Sequence, residues 1–476
     1  MRRRIAVALA VSVLVVACAS RNGQVGVGPP GQAKSAGQRA TPRESGSTPV
    51  LSGSITDSPV VRLAGPRAKQ PYDAFLARVV TDIESFWETT YPTIAGGEPY
   101  LPLEGGVWPV WPEADTVPGC GSGRTSYREV EDNAFYCPEG DFIAFDDIGL
   151  FPDLDTRFGR YTVATVLAHE WGHAIQTRRG YSLPGVIAEL QADCFSGAWM
   201  GHIRAGDTPD LRLDDPDLRR AVTGILEFRD APGTSAEDDG AHGSAFDRLG
   251  SYQDGLEKGA TSCDAYAVSP PVVIELPFNN ATDYSTQGDL TLQDLVTLVP
   301  QDLDRFWESA FQASGSSFSP LSGSVETYRA GGPYPRCAGL TTADFEQGVV
   351  YCPSPEFVAY EEGGANARLR DSIGDFSVGV LFADRWGQAL QHRLGLSTDG
   401  EAASLQRDCL TGVWVEDLVP RPTRQQPFSI SPGDLDEAVQ TYLAFTEDAD
   451  ASADQALARI GAFRNGVFSG LSSCGL

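Results

Sequence analysis

From Tyr161 to Ala168 the apolar residues Val163, Val166 and Leu167 recur at helical spacing, no proline interrupts them, and Gly180 offers a stop. The pattern predicts one helix running through residues 161–179. A short turn, Arg179-Gly180-Tyr181-Ser182-Leu183, leads into a second predicted helix from about Pro184 to Ala205. At the N-terminus an apolar run, Ile5 to Val16, follows Arg2, Arg3 and Arg4. It is too short to span a membrane as a mature helix and reads as an export signal over residues 1–17. Residues 18–70 are rich in Gly, Ser, Pro, Gln and Arg and carry no period, which predicts a disordered tether.

The same elements recur downstream. Leu167-Ala168-His169-Glu170-Trp171-Gly172-His173-Ala174-Ile175-Gln176 has an echo 215 positions later (169 to 384), Phe382-Ala383-Asp384-Arg385-Trp386-Gly387-Gln388-Ala389-Leu390-Gln391. Glu189-Leu190-Gln191-Ala192-Asp193-Cys194 is echoed at the same offset by Ser404-Leu405-Gln406-Arg407-Asp408-Cys409, and Tyr136-Cys137-Pro138 by Tyr351-Cys352-Pro353. Phe86-Trp87-Glu88 pairs with Phe306-Trp307-Glu308, and Arg248-Leu249-Gly250 with Arg459-Ile460-Gly461. The expected organisation is a homologous domain at 71–266, a Pro- and Asn-containing linker at 267–290, and a second copy at 291–476. Trp171, Trp386, Trp199 and Trp414 occur in both copies and read as core aromatics.

Composition narrows the class. A net charge of -28 over 476 residues argues against nucleic acid as a partner, which needs clustered Lys and Arg. Val15-Val16-Ala17-Cys18 resembles the bacterial lipobox, in which the cysteine is lipidated and becomes the mature N-terminus; an ordinary cleaved signal with an incidental cysteine is the alternative. The lipobox reading anchors the protein in the cell envelope, on the outer face of the bacterial plasma membrane. Setting Cys18 aside, the nine cysteines leave an even number, four in each copy. Three connectivities are open in each. Local closure favours Cys120–Cys137 with Cys194–Cys263, and Cys337–Cys352 with Cys409–Cys474. Cysteine metal ligands are the weaker reading, since no C-x-x-C spacing occurs.

His169 and His173 project from one helix face, one turn apart, as two zinc ligands would. Glu170 between them is placed to take a proton from a zinc-activated water. Glu189 is the candidate third ligand, because antiparallel helices would return it beside His173. Asp193, one turn on, is the candidate partner for the far nitrogen of a ligand histidine. The first copy resembles the bacterial neutral zinc metallopeptidase family in Cys120-Gly121-Ser122, Phe135-Tyr136-Cys137-Pro138, His169-Glu170-x-Gly172-His173, Glu189-Leu190-Gln191-Ala192-Asp193-Cys194 and His242-Gly243-Ser244 with Arg248. The resemblance implies an α+β, largely helical, zincin-like fold, here as two tandem domains. It also implies one zinc on His169, His173 and Glu189, and Glu170 as base. The His-His-Glu set further resembles the gluzincins, in which another histidine stabilises the oxyanion; His242 is the candidate, against the reading of a loop histidine satisfying local polar groups.

The second copy keeps Trp386, Gly387, Asp408, Cys409 and Trp414 but carries Asp384, Arg385, Gln388 and Ser404 where the first has His169, Glu170, His173 and Glu189. It is expected to bind no zinc. Ala453 aligns with His242. The sequence thus points to a membrane-anchored zinc metallopeptidase acting on peptide or protein substrates. The competing class is a non-catalytic envelope binding or assembly lipoprotein on the same scaffold.

Overall fold

The computed structural model describes residues 53–476 except 115, 122, 239, 279, 422–427 and 445–451. The export signal and Cys18 lie outside the described residues. The fold class is α+β. The described chain divides into two compact units, one reaching Tyr181 with a short excursion at 238–240, the other comprising 182–237 and 241–476.

The first unit contains α1 (Asp73–Ile94), β1 (Gly106–Val110), α2 (Tyr127–Val130), β2 (Ala134–Cys137), β3 (Phe142–Asp146), α3 (Leu150–Phe158) and α4 (Arg160–Arg179). β3 is the central strand, parallel to β1 and antiparallel to β2, and every residue of it is buried. Such a run reads as continuous apolar rather than alternating. Part of the predicted tether is folded here. Ile55 is buried, Val61 bridges to Val107, and Arg67 joins Asp73 at 2.9 Å and Asp147 at 2.6 Å with all three side chains almost fully covered. A tether over 18–70 is therefore corrected for its described part, 53–70. Polar composition hid a segment held by a bridge and a buried ion pair rather than by apolar periodicity.

α4 is buried at every position from Tyr161 to Gln176 except His173. It ends where Gly180 takes the left-handed conformation, φ 64°, and its N–H closes the last turn onto Gln176 O and Thr177 O. Arg178 and Arg179 lie in that turn, where positive charge complements the helix dipole.

The second unit holds α5 (Gly185–Ala205), α6 (Asp215–Ile225), α7 (Ala245–Lys258), α8 (Ala260–Asp264), α9 (Ala281–Ser285), α10 (Leu292–Ala313), β4 (Val325–Tyr328), β5 (Val349–Pro353), β6 (Glu356–Glu361), α11 (Ala365–Ser372), α12 (Asp375–Arg393), α13 (Glu401–Leu418), α14 (Asp434–Ala444) and α15 (Ala453–Ser469). Its sheet repeats the order and strand senses of the first, with β6 central, parallel to β4 and antiparallel to β5.

α5 packs on α7, and α13 on α15. The backbones cross closely: a Cβ on Gly255 would stand 1.8 Å from Cys194 O, and one on Gly466 2.0 Å from Cys409 O. At each crossing an aspartate takes two guanidinium bonds, Asp193 from Arg248 at 2.8 and 2.9 Å and Asp408 from Arg459 at 2.8 Å twice. α7 also meets α15. Gln253 Nε2 donates to Leu457 O at 3.0 Å, and Arg464 donates to Phe246 O. The four disulfides pair as expected, Cys120–Cys137, Cys194–Cys263, Cys337–Cys352 and Cys409–Cys474, with Cα separations of 5.4–5.8 Å. Trp171, Trp199, Trp386 and Trp414 are fully buried. Among the described residues no helix is long and apolar enough to cross a membrane.

Candidate metal centre

His169 and His173 lie one turn apart on α4, and their Nε2 atoms converge to 3.2 Å. Two nitrogens bound to one tetrahedral zinc at about 2.0–2.1 Å would be about 3.3 Å apart, so the pair already has the bite of a chelate. The rings stand nearly perpendicular, with centroids 4.9 Å apart. His173 Nδ1 lies 2.9 Å from Gln176 Oε1. With that oxygen as acceptor, Nδ1 carries the hydrogen and Nε2 keeps its lone pair, the tautomer a metal ligand needs. His169 is 7% and Glu170 6% exposed, so the pair and its neighbouring carboxylate occupy a region largely withdrawn from water.

The other candidates belong to the second unit. Glu189 is half-buried on α5. Asp193, one turn later, has both carboxylate oxygens on Arg248. His242 sits in the loop before α7. Its backbone N–H and that of Gly243 donate to Asp230 Oδ2 at 2.7 and 2.6 Å, and its Nδ1 is 3.4 Å from Asp230 Oδ1. Asp230 thus fixes the loop and turns Nε2 away from itself.

Sequence reasoning passed over Gln176 and Asp230 as partners of these histidines. Gln176 could have been found, because it recurs as Gln391 and lies three residues after His173. Asp230 carries no such signal, being distant in a loop.

The second unit shows what replaced the candidate ligands in the second copy. Arg407, at the position of Ala192, places its guanidinium among the altered residues. Nε donates to Asp384 Oδ1 at 2.8 Å, one terminal nitrogen to Gln391 Oε1 at 3.0 Å and Thr398 O at 2.9 Å, and the other to Ser404 Oγ at 3.0 Å. Asp384, Gln391 and Ser404 are the counterparts of His169, Gln176 and Glu189. Arg385, in place of Glu170, reaches Gln388, in place of His173, at 3.0 Å and stands 3.3 Å from Asp384. Burial would raise the Asp384 carboxyl, but Arg385 and Arg407 outweigh it and hold the group below the usual carboxylate range. A fixed organic cation therefore spans Asp384 and Ser404, where the first copy has the candidate ligands His169 and Glu189. A cavity of about 490 Å³ is lined by Asp384, Arg385, Ser404, Arg407 and Arg459, among others.

No family model matches the chain. It is 28% identical over 179 residues to an uncharacterized protein of Mycobacterium tuberculosis and to one of Mycobacterium bovis, covering 32% of this chain and 59% of each relative. It is 24% identical over 251 residues to the uncharacterized protein YpfJ of Escherichia coli, covering 46% of this chain and 81% of that protein. The chain thus spans less than two thirds of the mycobacterial relatives it matches. No solved structure matches it.

Proposed function

We propose that this chain is a zinc metallopeptidase of gluzincin type, built on two tandem zincin-like domains of the bacterial neutral zinc metallopeptidase kind, the second degenerate. The observation that carries the reading is the 3.2 Å convergence of His169 and His173 Nε2, with Gln176 holding the productive tautomer of His173. His169, His173 and Glu189 would hold one zinc. The second copy supports the choice of Glu189, since Arg407 bonds the counterparts of residues 169 and 189 together. Zinc bound there would supply a Lewis acid and a water of lowered pKa.

The chain's own groups then divide the work. The Glu170 carboxylate accepts the proton of the attacking water and returns it to the leaving amine nitrogen. His242, with Nδ1 turned toward Asp230, offers Nε2 to the oxyanion of the tetrahedral intermediate. Asp193, bonded to Arg248, positions α5. Cys18 would carry the lipid that anchors the enzyme to the outer face of the plasma membrane, where peptides or proteins are its substrates.

The test is elemental zinc content and cleavage of a peptide library by the purified protein, beside Glu170→Gln and His169→Ala. Wild type should hold one zinc and cleave in a chelator-sensitive way. Glu170→Gln should keep the zinc and lose cleavage by at least about a hundredfold, in line with removal of a general base. Wild type without zinc, or cleavage that survives Glu170→Gln, would sink the proposal. A second reading, a non-catalytic binding lipoprotein, draws on the arginine-lined cavity of the second copy. Restoration of a deletion phenotype by Glu170→Gln would select it.

A further inference from the structure

The proposed peptidase chemistry leaves unused a cluster of carboxylates within the second unit. Asp289 precedes α10, Asp375 opens α12, and Asp434 and Glu437 lie in the first turn of α14. Asp289, Asp375 and Glu437 each bring one carboxylate oxygen within 4.8 Å of the others. Asp375 and Asp434 are 2% exposed and Glu437 7%. Backbone amides fix the group from three directions. Leu290 N–H donates to Asp375 Oδ2 at 2.7 Å, Phe376 N–H to Glu437 Oε2 at 2.8 Å, and Ser431 N–H to Asp434 Oδ2 at 2.8 Å.

Two features separate this cluster from an ordinary acidic patch. First, Asp375 Oδ1 is buried and has no hydrogen-bond partner, which a folded protein tolerates only where something else satisfies the oxygen. Second, the compensating charge is short. Arg370 stands at one edge, 3.8 Å from Asp289 Oδ2, and is otherwise engaged by Leu290 O and Asp371.

We propose that Asp289, Asp375 and Glu437, with Asp434 adding charge beside them, bind a calcium ion. The donors are all carboxylate oxygens with no nitrogen or sulfur, which selects a hard cation over zinc. They are contributed by three separate segments, a loop and the first turns of two helices, and calcium accepts such a cage where magnesium demands near-octahedral order. The ion would tie the entry to α10 and the starts of α12 and α14 to one point.

The experiment uses the full chain stripped with a chelator and titrated with calcium chloride, read by calorimetry and by thermal unfolding. Wild type should bind one calcium saturably, with a Kd between about 10⁻⁶ and 10⁻³ M, and its unfolding midpoint should rise. Asp375→Asn should weaken binding at least tenfold. Asp289→Asn, at the more exposed member, should do the same and guards against a folding defect in the first variant. The double variant His169→Ala/His173→Ala should bind calcium as wild type does, which separates this site from the proposed zinc centre. Absence of saturable binding, binding unchanged in both aspartate variants, or binding lost with the two histidines would each overturn the proposal.

Discussion

Replacing Arg407 with methionine keeps much of the side-chain stem and removes the guanidinium. Four hydrogen bonds go with it, to Asp384, Gln391, Thr398 O and Ser404. The main cost is Asp384, 9% exposed and left with a charge in the interior. Breaking a buried pair from one side costs about 3–5 kcal/mol, because the remaining ion has neither water nor partner. Arg385 stays 3.3 Å from Asp384 and offsets part of this, which sets the expectation at about 3 kcal/mol. For a cooperative segment of about 150–250 residues that corresponds to a fall of roughly 6–12 °C in the melting midpoint. The double variant Asp384→Asn/Arg407→Met removes both charges and should cost about 1 kcal/mol, about 2 kcal/mol less than Arg407→Met alone. The sign with pH follows. The folded Asp384 carboxyl is held below its ordinary value, so its stabilisation is present above the unfolded pKa and is lost as pH falls through the folded one. The gap between wild type and Arg407→Met should therefore narrow in acid. Urea unfolding followed by tryptophan fluorescence reads all of this. A single variant within about 1 kcal/mol of wild type, or a double variant no more stable than the single, would refute the assignment of Arg407 as the replacement cation.

Three further outcomes are expected. Gln176→Leu removes the acceptor for His173 Nδ1 and should weaken zinc binding about 10–100-fold in a chelator competition; equal affinity would show that the bond does not orient the ring. Burial raises Asp247 to about 7 against the pull of Ser244 and Arg464, so the folded state loses stability as pH climbs from the unfolded carboxyl value near 4 through about 7. Asp247→Asn should therefore gain on wild type by about 3 kcal/mol between pH 4 and pH 8 in urea midpoints, and a pH-independent difference would contradict the assignment. Gly255→Ala forces a carbon to within 1.8 Å of Cys194 O and should cost about 3 kcal/mol, whereas an unchanged denaturation midpoint would mean the α5–α7 crossing relaxes freely.

What the sequence disclosed depends on how local each signal is. α4 ends and α5 begins where glycine and proline placed them, at 179–180 and 184–185, because caps and breakers act within a turn. The disulfide partners followed from counting cysteines per copy and favouring the pairing that closes each short loop locally. The paired histidines followed from a four-residue spacing. The buried Arg67 pair escaped notice because its partners are Asp73 and Asp147, and composition alone made that stretch look unstructured. Arg407 was visible as a substitution for Ala192, yet its role depends on two altered neighbours, Asp384 and Ser404, and on the direction of a long flexible side chain. The carboxylate cluster is assembled from segments at 289, 375 and 434–437, and no window of sequence contains it.

The contact of α7 with α15 carries a further meaning. Gln253 and Arg464 are counterparts at an offset of 211, as are Phe246 and Leu457, so each helix sends its side chain to the same carbonyl position on the other. This is the reciprocity of an isologous interface, the pattern two identical subunits make about a two-fold axis, here written within one polypeptide. Covalent fusion makes the association intramolecular, at an effective concentration of about millimolar or above, so the seam persists at any dilution. α15 thereby has a packing role that does not depend on what the residues at 384, 385, 388 and 404 do.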